Sequence, residues 1–267
     1  MAGPNNISMR DLTIILRTCG RVYALNGTRY VNKSKPEIIN VCVSSLVNSI
    51  NQVTDHAIKL IVIDDHSAPQ CLADIKKIVS QCKFPSEVIS LEGTGITGAS
   101  QTCKKVYELV AERATDLWYH VEDDYLHFLE AINDMIETVD QFECNTGQMI
   151  AINPHDDIWR YTRQIYESIL LLGPYRHYRT VKHTTYTCLA SKEIFDKYRN
   201  HFDDAAEWIL RKDENETINQ VWNKPDVMLF SPIPSLALHL MEESGKDPYI
   251  DFDALWNSVP ELWKNND

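Results

Sequence analysis

Short apolar runs alternate with amphipathic stretches through the first half of the chain. Leu12-Thr-Ile-Ile-Leu16 is partly β-branched and bounded by polar residues, the pattern of a buried strand. From Glu37 to Ile50 the apolar positions Ile38, Ile39, Val41, Cys42, Leu46, Val47 and Ile50 fall at helical spacing and predict one buried helix face. Leu60 to Ile63 predicts a second strand, Ala73 to Val79 a helix, and Ser86 to Leu91 a short strand. A glycine-rich turn, Gly93-Thr-Gly-Ile-Thr-Gly98, precedes a helix from about Ala99 to Ala114, and a strand running into Glu122 closes the series. The order β-α-β-α-β-α-β predicts an α/β fold with a mostly parallel, doubly wound central sheet flanked by helices.

Beyond Asp124 the pattern loosens. Phe128 to Phe142 predicts a helix and Met149 to Ile152 a short strand. Asp213 to Trp222 predicts a further helix, with acids in its first turn as the helix dipole favours. No internal repeat or low-complexity linker marks a boundary, so the expectation is one domain over residues 1–267.

Two apolar runs end in clustered acids. Leu60-Ile-Val-Ile-Asp-Asp-His-Ser67 ends in Asp64 and Asp65; Asp116-Leu-Trp-Tyr-His-Val-Glu-Asp-Asp-Tyr-Leu126 ends in Glu122, Asp123 and Asp124. In an open α/β sheet, strand ends of this kind lie in the crevice where ligands bind. A solvated acidic turn would explain Glu122-Asp123-Asp124 taken alone. Following a buried strand, the three carboxylates need something positive, and a hard divalent cation bridged to phosphates is the natural candidate. His120 alternates away from Val121 and is expected to be structural.

Charge narrows the partners. A net charge of −12 over 267 residues excludes broad, nonspecific binding to nucleic acid or anionic membrane. One stretch runs against this balance: Trp159 to Thr187 holds five Lys or Arg and two His, interleaved with Trp and Tyr, against the single acid Glu167. It is either a solvated rim or a substrate-facing surface, where aromatic faces stack on sugars or bases and Arg176 and Arg179 contact an acceptor. Seven cysteines without a C-x-x-C spacing point to a reduced, intracellular protein. Met-Ala-Gly-Pro-Asn-Asn is no signal peptide and no apolar run approaches spanning length, so a soluble, cytoplasmic protein is expected, in a host cytoplasm if the source is viral.

In this order the features resemble a glycosyltransferase of the GT-A fold, in its large family-2-like group, well over residues 11 to 126 and loosely beyond. Leu12 to Arg21 looks like the first strand and the polar loop beside the nucleobase, with Arg17, Thr18 and Arg21 toward the donor. Ile61 to Ser67 is similar to the group's strand-Asp-Asp-x-Ser signature, in which an acid hydrogen-bonds the base; Asp64 or Asp65 would fill that place. Gly95-Ile-Thr-Gly98 resembles the glycine-containing turn before the third helix, and Glu122-Asp123-Asp124 stands where the group has its metal-binding D-x-D, with Glu in the first position.

The resemblance implies a nucleotide-sugar-binding half over 11–126 and an acceptor-binding half over 127–267. It implies a nucleoside-diphosphate sugar, UDP-linked, as donor, and Mn²⁺ or Mg²⁺ held by Asp124 and Glu122, with Asp123 reaching the ribose or the metal. His239, among apolar neighbours, is either a core histidine or the late histidine that some members use as a metal ligand. Glu214 or Asp213 would be the acceptor's general base in an inverting enzyme, although Asn215 after Glu214 leaves a retaining mechanism open. A glycan is the default acceptor and a modified base in viral DNA the alternative. A nucleotidyltransferase, or a noncatalytic sugar- or nucleic-acid-binding module, remains possible on these residues alone.

Overall fold

The structure is a computed structural model, and it describes residues 9–21, 31–163, 166–184, 186–207, 214–241, 247 and 249–264. Its first half follows the predicted alternation: β1 (Asp11–Thr18), α1 (Lys35–Ile50), β2 (Ala57–Asp64), α2 (Pro69–Val79), β3 (Ser86–Ser90), α3 (Ala99–Arg113) and β4 (Leu117–Glu122). β5 (Tyr125–His127), α4 (Ala131–Thr146) and β6 (Met149–Ile152) come next. The remainder comprises α5 (Trp159–Thr162), β7 (Leu170–Leu172), β8 (His177–Val181), β9 (Cys188–Ser191), α6 (Lys192–Lys197), α7 (Arg199–Ala206), β10 (Val227–Ile233), β11 (Ala237–His239) and α8 (Phe252–Ser258).

Nine of these strands form one sheet in the order β3-β2-β1-β4-β9-β6-β10-β8-β7. β1 pairs in parallel with β2 and β4, and β6 in parallel with β10, whereas β9 and β8 run against their neighbours. The fold is therefore the mostly parallel α/β arrangement that the sequence predicts.

Strand alternation explains why both faces of the sheet are covered. Leu12, Ile14 and Leu16 of β1 pack into one core with Ile39, Val43 and Val47 of α1 and with α2 and α4. Ile15, one residue out of phase, joins Ile61 and Ile63 in the second core, against Val106, Tyr107 and Val110 of α3 and Phe202 of α7. α1 starts where Ser34 caps the Glu37 amide and Pro36 occupies the first turn.

Two segments depart from the expectation. Helix α4 begins at Ala131, not Phe128, because the Phe128 N–H donates to the Leu236 carbonyl and extends the strand region. Residues 214–217 form a turn, followed by one 3₁₀ turn, Ile218–Gln220, instead of the helix expected from Asp213 to Trp222. Side-chain amides compete with helical hydrogen bonds there: Asn219 accepts from the Thr184 N–H at 3.1 Å and donates to Asn215 at 3.3 Å. Asp213 itself lies outside the described residues.

Candidate functional site

The ends of β1, β2 and β4 meet, as their parallel register requires, and bring the predicted acids together. Asp64 is fully buried and both its oxygens are engaged, by the Thr18 hydroxyl at 3.0 Å and the Ser67 N–H at 3.0 Å. Asp65 gathers the glycine-rich turn: it accepts from the Gly98 N–H at 2.9 Å and the Thr97 hydroxyl at 3.1 Å, with the His66 ring at 2.8 Å and Arg21 at 3.5 Å. Arg21 also donates to the His66 carbonyl. Gly93, Gly95 and Gly98 have φ of 77°, 78° and 84°, and a Cβ on any of them would meet no atom, so this turn needs glycine for its backbone and not for space.

Glu122 and Asp123, expected beside a cation, each meet one that the protein itself supplies. Glu122 accepts from the Arg17 guanidinium, and Asp123 accepts from the Lys35 ammonium and from the Cys19 N–H at 2.8 Å. The positive charge that the buried acids require comes from the protein's own side chains, one beside each carboxylate. Arg17 also donates to the Ala99 carbonyl at 2.9 Å, which joins the strand end to the start of α3.

Asp124 is placed differently. β5 and β11 form a separate two-stranded antiparallel sheet that sets His239 opposite Tyr125. The two rings stack at 4.7 Å with an interplanar angle of 10°, and His239 Nε2 lies 3.7 Å from Asp124 Oδ1. Sequence positions from distant parts of the chain thus supply one carboxylate and one imidazole. Among the described residues no three His, Cys, Asp or Glu side chains converge as a metal-binding group. The donor pair fits a divalent cation only of the kind that takes one or two protein ligands and completes its shell with substrate phosphates and water.

Next to this pair opens a cleft of about 370 Å³, lined among others by His155, Asp157, Trp159, His183, Glu214 and His239. Its wall is the segment after β6. Asp156 is fully buried, accepting from Arg179 at 2.6 Å, the Tyr161 hydroxyl at 2.6 Å and Arg160 at 3.2 Å. Arg160 continues to Asp157 at 2.8 Å, the Ser231 hydroxyl at 2.9 Å and the His183 carbonyl at 3.1 Å. Charge-assisted bonds in this number fix the wall. Burial holds the His155 imidazole below its ordinary pKa, with Asp157 opposing, and His183 is lowered first by burial and then by Arg160.

Arg176 and Arg179, expected to face an acceptor, are both engaged by acids of the chain. Arg179 is engaged by Asp156, and Arg176 donates to buried Asp134 at 2.6 Å, to Glu130 at 2.9 Å and to the Pro234 carbonyl. Trp159 and Arg160, from the same stretch, do reach the cleft. His120 is fully buried among Tyr107 and Tyr186, consistent with a structural place. Asn153-Pro-His-Asp-Asp157 is a site segment that the sequence pattern did not single out, because its acids follow the buried strand β6 only after three intervening residues.

No family model matches the chain, and no curated protein matches it. Among solved structures, S. aureus TarS is similar with a TM-score of 0.50 and 14% identity, over 83% of this chain and 36% of that one. S. aureus TarS 1-349 in complex with UDP-GlcNAc aligns with a TM-score of 0.49 and 12% identity, over 83% of this chain and 58% of that one. CMP:2-keto-3-deoxy-manno-octonic acid synthetase complexed with CTP aligns at 0.39 and 12% identity, over 84% and 92% of the two chains. The chain thus spans about a third of the TarS structure it resembles, and at this identity the likeness is one of fold: a GT-A-like α/β sheet.

Proposed function

We propose that this chain is a glycosyltransferase that moves a sugar from a nucleoside-diphosphate sugar, UDP-linked, to a hydroxyl of a glycan acceptor. The observation that carries the reading is the meeting of Asp124 and His239 beside a cleft that also holds Glu214, on a GT-A-like sheet. Asp124 and His239 would hold Mn²⁺ or Mg²⁺, which when bound offsets the charge of a diphosphate leaving group. Asp65, with both oxygens engaged by the glycine-rich turn, His66 and Arg21, would set that turn against the base, and Asp64 fixes the strand end behind it.

Transfer joins the acceptor oxygen to the anomeric carbon while the bond from that carbon to the diphosphate oxygen breaks, its electron pair leaving with the diphosphate. Glu214 is the cleft carboxylate assigned to take the hydroxyl proton, which makes the reaction inverting. Engagement of Arg176 and Arg179 by Asp134 and Asp156 removes the main support for a DNA acceptor and favours a neutral glycan.

The test is incubation of the protein with a panel of nucleotide sugars and Mn²⁺, separating the products. Release of a nucleoside diphosphate, by slow hydrolysis or by transfer, supports the reading. Release of pyrophosphate from a nucleoside triphosphate and a sugar phosphate would establish a nucleotidyltransferase instead. Metal-independent sugar binding without turnover would establish a binding module.

A further inference from the structure

The wall of the cleft contains a polar pair that the transfer chemistry above does not use. His155 is 2% exposed and lines the cleft, and its Nε2 has no hydrogen-bond partner. Its other ring nitrogen, Nδ1, faces the His239 N–H at 3.5 Å, which leaves Nδ1 as acceptor and puts the ring proton on Nε2. Asp157 stands 3.5 Å from that Nε2 through Oδ1, while its Oδ2 is held by Arg160 at 2.8 Å. A donor and an acceptor therefore stand side by side in the cleft wall, 3.5 Å apart, and both are fixed from behind.

We propose that His155 and Asp157 form a hydroxyl-binding subsite for the ring of the transferred sugar. The inference rests on the glycosyltransferase reading and names the chemistry of its donor pocket. A single hydroxyl oxygen can accept from Nε2–H and donate to the carboxylate at ordinary distances of about 2.8 Å, bridging atoms that are too far apart to bond directly. A phosphate oxygen cannot donate and would be repelled by Asp157. Trp159 lines the same cleft, with the Arg160 guanidinium over its ring at 5.1 Å.

Continuity with the diphosphate end assigns the subsite to the donor sugar and not to the acceptor. The residue whose backbone contacts His155 is His239, whose imidazole lies 3.7 Å from Asp124. The His155 and His239 rings are edge-to-face neighbours, their centres 6.3 Å apart, so the subsite adjoins the Asp124 end of the cleft. A buried polar atom left without a partner is uncommon in folded proteins, and a ligand hydroxyl supplies the missing bond.

The experiment is calorimetry on the full chain with Mn²⁺, titrating UDP and a panel of UDP-glucose, UDP-galactose and their N-acetylamino counterparts. His155→Leu and Asp157→Asn are each expected to weaken the best-bound UDP-sugar about tenfold while leaving UDP affinity unchanged, which also reports that the fold persists. His155→Gln keeps an N–H donor near the same place and should recover part of the loss. Unchanged UDP-sugar affinity in both His155→Leu and Asp157→Asn, as when only water bridges the pair, overturns the subsite and leaves the donor reading standing. Failure of the wild-type protein to bind UDP or any UDP-sugar overturns the donor reading and the subsite with it.

Discussion

The acids at the end of β2 and β4 and those after β6 occupy equivalent places in the sheet, yet they are employed in opposite ways. Asp64, Asp65, Glu122 and Asp123 are bonded to their own chain: hydroxyls, backbone amides, Arg17 and Lys35 meet them. After β6, Asp156 is consumed in the same manner by Arg160, Arg179 and Tyr161, but Asp157 and His155 stand 3.5 Å apart in the cleft wall and His155 Nε2 has no hydrogen bond. A carboxylate at a strand end is thus no evidence of a ligand by itself. What separates scaffold from site is whether the chain has already supplied its partner.

The largest effect that sharpens this contrast is catalytic. Glu214→Gln is expected to bind the sugar nucleotide normally and to lose transfer by about 10²–10⁴-fold, because it keeps the shape of the side chain and removes the base. Steady-state transfer and donor affinity measured side by side check it. Full transfer by this variant would move the base elsewhere or indicate a retaining mechanism.

On the scaffold side, Lys35→Met leaves Asp123 buried without its cation. The Lys35 and Asp123 side chains are 11% and 9% exposed, so the variant should lose about 3–5 kcal/mol of stability in urea unfolding of metal-free protein. If a bound cation, and not Lys35, were the partner of Asp123, the loss without metal would be under about 1 kcal/mol.

A third effect concerns the small sheet that carries His239. His127 of β5 accepts from the Tyr119 hydroxyl at 2.8 Å through Nε2, and its Nδ1–H donates to the Tyr125 carbonyl at 3.1 Å. Burial, opposed by that carbonyl, brings its pKa down to about 4. A histidine whose folded pKa is depressed binds its proton more readily when unfolded. Its contribution is therefore complete above about pH 6.5, falls as the pH drops below that value, and is exhausted near pH 4, a loss of about 3 kcal/mol. Unfolding of wild type and His127→Gln between pH 4 and 7 should show a shallower pH slope in the variant; identical slopes would remove His127 from the account.

The sequence was most informative where the chain is regular. Apolar runs spaced by amphipathic helices disclosed β1 through β4 within a few residues, since a parallel sheet covered on both faces leaves a strong pattern. The three-residue strands β5 and β11 carry no such pattern, so the device that brings His239 to Asp124 was visible only as a lone histidine. Partners were equally hidden. Lys35 lies 88 residues from Asp123, and Arg176 lies 42 from Asp134, so neither ion pair could be read from neighbouring positions. The turn at 214–217 defeated helical periodicity because Asn215 and Asn219 bond sideways, a choice that depends on Thr184 being nearby.

The most direct test of the central claim is release of UDP from the UDP-sugar that the protein binds, measured for wild type and Asp124→Asn with and without Mn²⁺. The substitution keeps the side-chain shape and leaves Glu122 with Arg17 and Asp123 with Lys35. The account predicts release by the wild-type protein that depends on Mn²⁺ and falls by orders of magnitude in Asp124→Asn, in a variant that unfolds as the wild type does. Undiminished, Mn²⁺-dependent release by Asp124→Asn would contradict it.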